Sequence, residues 1–155
     1  MVESVQSGYK ELTEPVVFSG TQVLDLAGID EWVSLSDEID NSVVKYLYAD
    51  FEVLLGSAVF TGDAASQLKV YLLPSLDGTN YPDWDDDDTA EAYGNDPYLI
   101  GSPVTNSSTV AQRMLFRKVN MPPGKFKIGA RNKTGVALAA TGNTINFRRW
   151  GFAST

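Results

Sequence analysis

The sequence of 155 residues contains neither cysteine nor histidine. Without cysteine, the chain has no disulfide, no thiolate ligand for a metal and no thiol nucleophile. Without histidine, it lacks the commonest general base, the Ser-His triads and nearly every catalytic zinc geometry. An enzyme built from this chain would be confined to carboxylate, lysine or tyrosine chemistry. The two absences favour a protein that acts by contact with other proteins, without a cofactor.

Long hydrophobic runs are missing as well. The amino-terminal segment MVESVQSGYKELTEP contains acids and no apolar core of the length found in signal peptides. No later stretch approaches the roughly 20 apolar residues needed to cross a bilayer. We therefore expect a protein with no membrane partner, and the length is that of one ordinary domain.

Acidic residues are absent from the last third of the chain. All 20 Asp and Glu lie at or before Asp96, where only three lysines oppose them, whereas nine Lys and Arg and no acid follow Pro97. The net charge of −8 disfavours a nucleic-acid partner, because the overall field repels phosphates. The charge polarity is neutralised either between neighbouring strands of one molecule, the alternative we favour, or between copies of the chain.

The pattern that is present is one of β-strands. Residues 1–14 are polar and predict an arm, and residues 15–155 form the predicted domain. Short β-rich runs precede the first long strand, in residues 16–18, 21–26 and 32–36. An acidic turn is predicted at residues 37–41.

Period-two alternation identifies the longer strands. It places one set of side chains in the core: Leu47, Ala49, Phe51, Val53 and Leu55 in residues 45–55, Leu68, Val70 and Leu72 in residues 67–73, and Phe126, Ile128 and Ala130 in residues 125–131. It places their neighbours outward, namely Tyr46, Tyr48, Asp50, Glu52, Lys69, Tyr71, Lys125, Lys127 and Arg131. Further strands are predicted in residues 108–119, 136–139 and 144–150.

Turn signals fill residues 75–102, which predict one long loop. No segment shows sustained helical periodicity with capping residues. The roughly eight predicted strands, at spacings typical of antiparallel sheets, predict an all-β fold: an antiparallel β-sandwich of jelly-roll type.

Two groups of carboxylates are candidates for chemistry. Five aspartates surround Trp84 in residues 83–88, but they lack the spacing of a calcium loop, so a solvated acidic loop is favoured over a metal site. Asp50 and Glu52 resemble the carboxylate pair of a glycosidase, yet they are the outward residues of an amphipathic strand. We therefore predict no catalytic residue and no metal site.

Aromatic and basic residues are better candidates, as parts of a contact surface. Tyrosine and tryptophan rings in the outward positions and in the long loop suit a protein interface or a sugar-binding platform, or they fold back to cap the edge of the sandwich. The predicted protein-contact residues are Tyr46, Tyr48, Trp84, Lys125, Lys127 and Arg131.

Two stretches carry a resemblance to a known kind of protein. The run MPPGKFKI at residues 121–128, followed by NKTG at 132–135 and TGNTI at 141–145, resembles the closing strands of small virion proteins of tailed bacteriophages. The run LPSLDGTNY at residues 73–81 resembles an earlier strand and turn of such proteins. These structural motifs lie within residues 73–81 and 121–145.

The resemblance implies a jelly-roll subunit of the capsid decoration, or cement, type. It implies a homotrimer on the outer capsid surface, bound to the major capsid protein, with residues 1–14 as a gripping arm. The alternative is a receptor-binding module of a tail or head fibre that recognises host glycans through the aromatic loop. An enzyme is not expected.

Overall fold

The computed structural model describes residues 14–17, 36–60, 66–82, 98–139 and 141–152. The regular elements of these residues are all strands: β1 (Glu14–Pro15), β2 (Ile39–Asp40), β3 (Tyr46–Leu55), β4 (Gln67–Pro74), β5 (Leu99–Gly101), β6 (Gln112–Asn120), β7 (Lys125–Lys133) and β8 (Thr144–Phe152). The predicted all-β fold is confirmed.

The strands form two four-stranded antiparallel sheets. The first sheet has the order β1-β8-β3-β6 and the second has the order β2-β7-β4-β5. In sequence terms, β1 pairs with β8, β2 with β7, β3 with β6 and β4 with β5, as in a long hairpin wrapped on itself. This wrapping is the jelly-roll arrangement, which confirms the predicted β-sandwich architecture.

The core lies between the sheets and follows from the alternation in the long strands. Ala49, Phe51, Val53 and Leu55 of β3 are completely buried, as predicted. The predicted inward residues of β4 and β7 are also buried, and Phe126 and Ile128 are fully enclosed. Leu47 is an exception, with 42% of its surface exposed. It lies near the start of β3, next to the exposed turn of residues 42–45, where the core ends.

Two residues predicted to face solvent are buried. Tyr71 is 2% exposed and Arg131 is 4% exposed. Both belong to central strands of the second sheet, in which Val70–Leu73 and Ile128–Asn132 are consecutively buried. Alternation predicts only the side of the sheet to which a residue points. It does not predict whether that side is exposed, and the outer side of this sheet is covered at its centre.

Several predicted boundaries were wrong. Residues 39 and 40, predicted as turn, form β2 by pairing with Phe126 and Lys125. Residues 99–101, predicted as loop, form β5 against β4. Residues 136–139 do not form the predicted strand. Val16 and Val17 of the predicted run 16–18 follow β1 and do not form a strand. The predicted run 21–26, residues 32–35 of the run 32–36 and residues 1–13 of the predicted arm lie outside the described residues, whereas Glu14 belongs to β1.

The connections gather at the two ends of the sandwich, each fastened by a buried asparagine. At the Asn41 end, formed by residues 41–45, 75–82 and 121–124, the Asn41 amide donates to the backbone oxygens of Tyr46 and Pro122. At the Asn143 end, formed by residues 56–60, 102–111, 134–139 and 141–143, the Asn143 side chain accepts from the Gly56 N–H and donates to the Ala139 oxygen.

Candidate functional site

The outer face of the first sheet carries the predicted outward residues of β3. Register places Tyr48 opposite Trp150 and Asp50 opposite Arg148 of β8. The two rings meet at a centroid distance of 4.7 Å and an angle of 34°, and the Arg148 Nη2 lies 3.6 Å from an Asp50 oxygen. The predicted contact residue Tyr48 is therefore half-buried against its own strand neighbours.

Tyr46 takes part in a separate arrangement around Arg149. The guanidinium of Arg149 lies 5.2 Å from the Tyr46 ring centroid, and its Nε and Nη2 donate to the two carboxylate oxygens of Glu14 at 3.0 and 2.7 Å. Its Nη1 donates to the backbone oxygen of Asp40 at 2.8 Å. Arg149 thus joins both two-residue strands, β1 and β2, to the body of the sandwich.

The remaining predicted contact residues lie on the second sheet. Lys125 and Lys127 are half-exposed on β7, whereas Arg131 is buried, so it is not available as a surface contact. The structure therefore separates Tyr46 and Tyr48 from the basic residues instead of uniting them in one patch. Trp84 lies outside the described residues.

Glu38 organises a polar cluster at the Asn41 end. The Lys125 Nζ lies 2.7 Å from Glu38 Oε1, and the Tyr81 hydroxyl donates to Glu38 Oε2 at 2.6 Å. The hydrogen bond from Lys125, and then that from Tyr81, lower the pKa of Glu38, while burial and the hydrogen bond to Glu38 raise the pKa of Tyr81. The Lys127 ammonium lies 4.8 Å from the Tyr81 ring centroid. This cluster ties the loop after β4 to β2 and β7.

The titration of Glu38 tests this cluster. Because the folded-state pKa is lowered, the contribution of the cluster to stability is present above the ordinary glutamate pKa and is lost as the pH falls through the lowered value. We expect Lys125→Met to raise the pKa of Glu38 towards the ordinary value of 4.5, as followed by NMR titration of the carboxyl carbon. Lys45→Met, at an exposed lysine of the β2–β3 turn, is the control, and an unchanged Glu38 titration in Lys125→Met would contradict the assignment.

A groove adjoins this cluster and holds aromatic rings. Its volume is about 440 Å³, and its lining residues are Pro74, Leu76, Asp77, Asn80, Tyr81, Pro82 and Tyr98. Asp77 holds the turn that lines this groove: its Oδ1 accepts hydrogen bonds from the backbone N–H groups of Thr79 and Asn80, and these bonds hold the pKa of Asp77 well below its usual range. Gly78 has a φ of 76° in this turn, a conformation that glycine adopts without strain.

The carboxylates of Asp50 and Glu52 take part in structural contacts. Asp50 pairs with Arg148 and accepts the Lys118 N–H at 2.8 Å, and Glu52 lies 3.4 Å from Arg113. Asp50 and Glu52 therefore sit where ordinary outward residues of an amphipathic strand are expected. Within the described ranges, no group of three acidic residues is placed to hold a metal ion.

The charge polarity of the sequence is neutralised in part inside the molecule. Among the described residues, four ion pairs each join an acid from the first part of the chain to a base from the last third: Glu14–Arg149, Glu38–Lys125, Asp50–Arg148 and Glu52–Arg113. This supports the intramolecular alternative. Its cause is the jelly-roll order, which pairs early strands with late ones.

The sequence did not reveal the exposed apolar residues of the Asn41 end. Val43 and Leu76 are 86% and 101% exposed, and Val44 is 44% exposed. These residues flank turns, where no periodicity distinguishes an exposed valine or leucine from a buried one. The Asn143 end also exposes apolar residues, namely Val59, Val104 and Val110, so exposure alone does not distinguish the two ends. The ring-lined groove, which Leu76 helps to line, makes the Asn41 end the candidate contact site.

No protein-family model matches the chain, and no curated protein matches it. Among the residues that the structure describes, none form a helix long and apolar enough to cross a membrane.

Proposed function

We propose that this chain is a non-enzymatic virion structural protein, a capsid decoration protein that stabilises a phage head through contacts with the major capsid protein. The observation that carries the proposal is a jelly roll that exposes apolar side chains on a rigid end. Val43 and Val44 project from a turn that the part-buried hydrogen bonds of Asn41 hold in place, and Leu76 projects from the turn that Asp77 holds. Exposed apolar residues rimmed by polar ones are typical of protein interfaces.

The rigidity of the Asn41 end supports a contact role. Asn41 joins the β2–β3 turn to the β6–β7 turn, and the Ser75 N–H donates to the Lys125 oxygen at 2.8 Å. A surface that is already ordered loses little conformational entropy on binding, so more of its contact energy contributes to affinity. Such a surface suits a protein that adds contact area between coat subunits, acting as a homotrimer on the capsid surface.

A second function is favoured by the groove beside this surface. Tyr81 and Tyr98 supply rings, and Asn80 supplies polar atoms, within a volume of about 440 Å³. Rings with nearby hydrogen-bonding groups suit a sugar, which has both apolar and polar faces. The alternative proposal is therefore a tail or head-fibre module that binds host surface glycans through this groove.

Cryo-electron microscopy of purified particles that carry the chain separates the two functions. Jelly-roll density on the outer shell, with Val43 and Leu76 against the coat protein, is the result expected for a decoration protein. Density confined to the tail or to a head fibre, with the Tyr81 groove pointing away from the particle, would replace it with the glycan-binding function. If mass spectrometry finds the chain missing from the particles, both proposals fail.

A further inference from the structure

Among the described strands, β6 is the long edge strand of the first sheet. It contains nine residues and pairs only with β3 among the described strands. The other edge strands are much shorter, with two residues in β1 and β2 and three in β5. An edge strand presents a row of backbone N–H and C=O groups to which another extended segment can add. β6 is therefore the edge best able to receive one.

The side chains of β6 are basic and partly apolar, with no acid among them. The Arg113 side chain is 65% exposed, Leu115 is 61% exposed, and Arg117 and Lys118 are exposed. Arg113 approaches Glu52 at 3.4 Å, and the Lys118 ammonium lies 5.3 Å from the Tyr48 ring centroid. Arg117 makes no side-chain contact of this kind with any of the described residues.

A β-bulge concentrates the charge at one point of this edge. The β3–β6 register shifts between Ala49 and Phe51, and Lys118 has a φ of 56° there, with its N–H donating to Asp50 Oδ1 at 2.8 Å. Because a bulge interrupts the alternation of side chains, the successive residues Arg117 and Lys118 are both exposed. Two adjacent cations repel the same strand of another copy, so pairing of β6 with β6 is disfavoured.

The complementary charge is carried elsewhere in the same sequence. The described residues contain eleven Lys and Arg against seven Asp and Glu, whereas the remaining residues contain thirteen acids and one lysine. Residues 83–97 alone contain seven acids and no base. Within them, the stretch DWDDDD at residues 83–88 combines five carboxylates with Trp84, an apolar ring suited to an exposed leucine.

We propose that edge strand β6 of one copy binds the acidic stretch at residues 83–88 of a second copy by strand addition, with Arg117 and Lys118 facing its aspartates and Leu115 facing Trp84. The surface that binds and the segment that is bound are then different parts of the chain, so the contact is heterologous: it generates a ring where the rotation between copies closes and a filament where it does not. The basic face of β7 is less suited, since Lys125 is paired with Glu38 and Arg131 is buried. The inference is independent of where on a particle the protein sits.

Charge reversal with sedimentation velocity tests this contact. We expect the wild type to associate with rising concentration, and Arg117→Glu with Lys118→Glu to weaken association at least about tenfold, because exposed ion pairs become repulsive contacts. Adding Asp86→Lys and Asp87→Lys to the double variant should restore association. Lys45→Glu is the matched control, since Lys45 is also an exposed lysine with a positive φ, of 54°.

Each other outcome overturns the contact. A wild type that stays monomeric at every concentration contradicts it, as does association that the β6 reversal leaves unchanged. If the protein stays monomeric, its melting temperature falls in the variant with Arg117→Glu and Lys118→Glu, and it recovers when Asp86→Lys and Asp87→Lys are added, then the acidic stretch binds its own copy.

Hydrogen exchange supplies an independent measurement. The β6 amides should exchange more slowly in the associated wild type than at low concentration, and Lys45→Glu should behave as the wild type does.

Discussion

Phe51→Ala is expected to lower the free energy of unfolding by about 3–5 kcal/mol, the range for truncating a buried phenylalanine. Phe51 is completely buried at the centre of β3 and stacks on Phe147 of β8, with ring centroids 5.6 Å apart. Removing its ring takes away this contact and leaves a cavity between the sheets that rigid strands cannot fill. Urea unfolding followed by circular dichroism measures the change.

Leu115→Ala is the control for that substitution. Leu115 lies on the neighbouring strand β6, but it is 61% exposed, so we expect a change within about 0.5 kcal/mol. The comparison separates loss of core packing from loss of an apolar side chain on the same sheet. Equal effects of the two variants would mean that the core does not lie between these two sheets.

The long strands were predictable because their pattern is local. Alternation over ten residues of β3 fixes which side chains face the core, and a single shift of register would expose all of them. The short strands were not predictable, because they contain too few residues to show a local pattern. Ile39 and Leu99 belong to strands of two and three residues, too short to show a period, and only their partners Phe126 and Tyr71 define them.

The candidate contact residues show where the pattern stops being informative. Alternation correctly separated Lys125 from Phe126, but it did not show that the outer side of β7 is covered at Arg131. Coverage depends on which segments lie over a sheet, a non-local property. The two exposed cations of β6 were missed because the bulge at Lys118 places two successive residues at the surface, which alternation does not allow.

Asn41→Ala is expected to have the second large effect, a loss of about 2–4 kcal/mol of unfolding free energy. Asn41 is 1% exposed, and its side chain satisfies three backbone groups: it donates to the oxygens of Tyr46 and Pro122 at 2.9 and 2.7 Å and accepts from the Tyr46 N–H at 3.0 Å. An alanine leaves these groups without their partner, and each buried polar group left unsatisfied costs about 1–3 kcal/mol.

The Asn41 substitution also tests the contact surface, because the same amide holds together the two turns that position it. Loss of the hydrogen bond to Pro122 should release the turn that bears Val43 and Val44, so the amides of residues 42–45 should exchange faster with solvent. The amides of the Asn143 end should exchange only at the rate expected from the global change in stability. Asn120→Ala, which removes an exposed asparagine at the end of β6, is the control and should change stability by less than about 0.5 kcal/mol. If Asn41→Ala were as mild as the control, water would replace the amide readily, and this end would not be the preformed surface that a decoration protein needs.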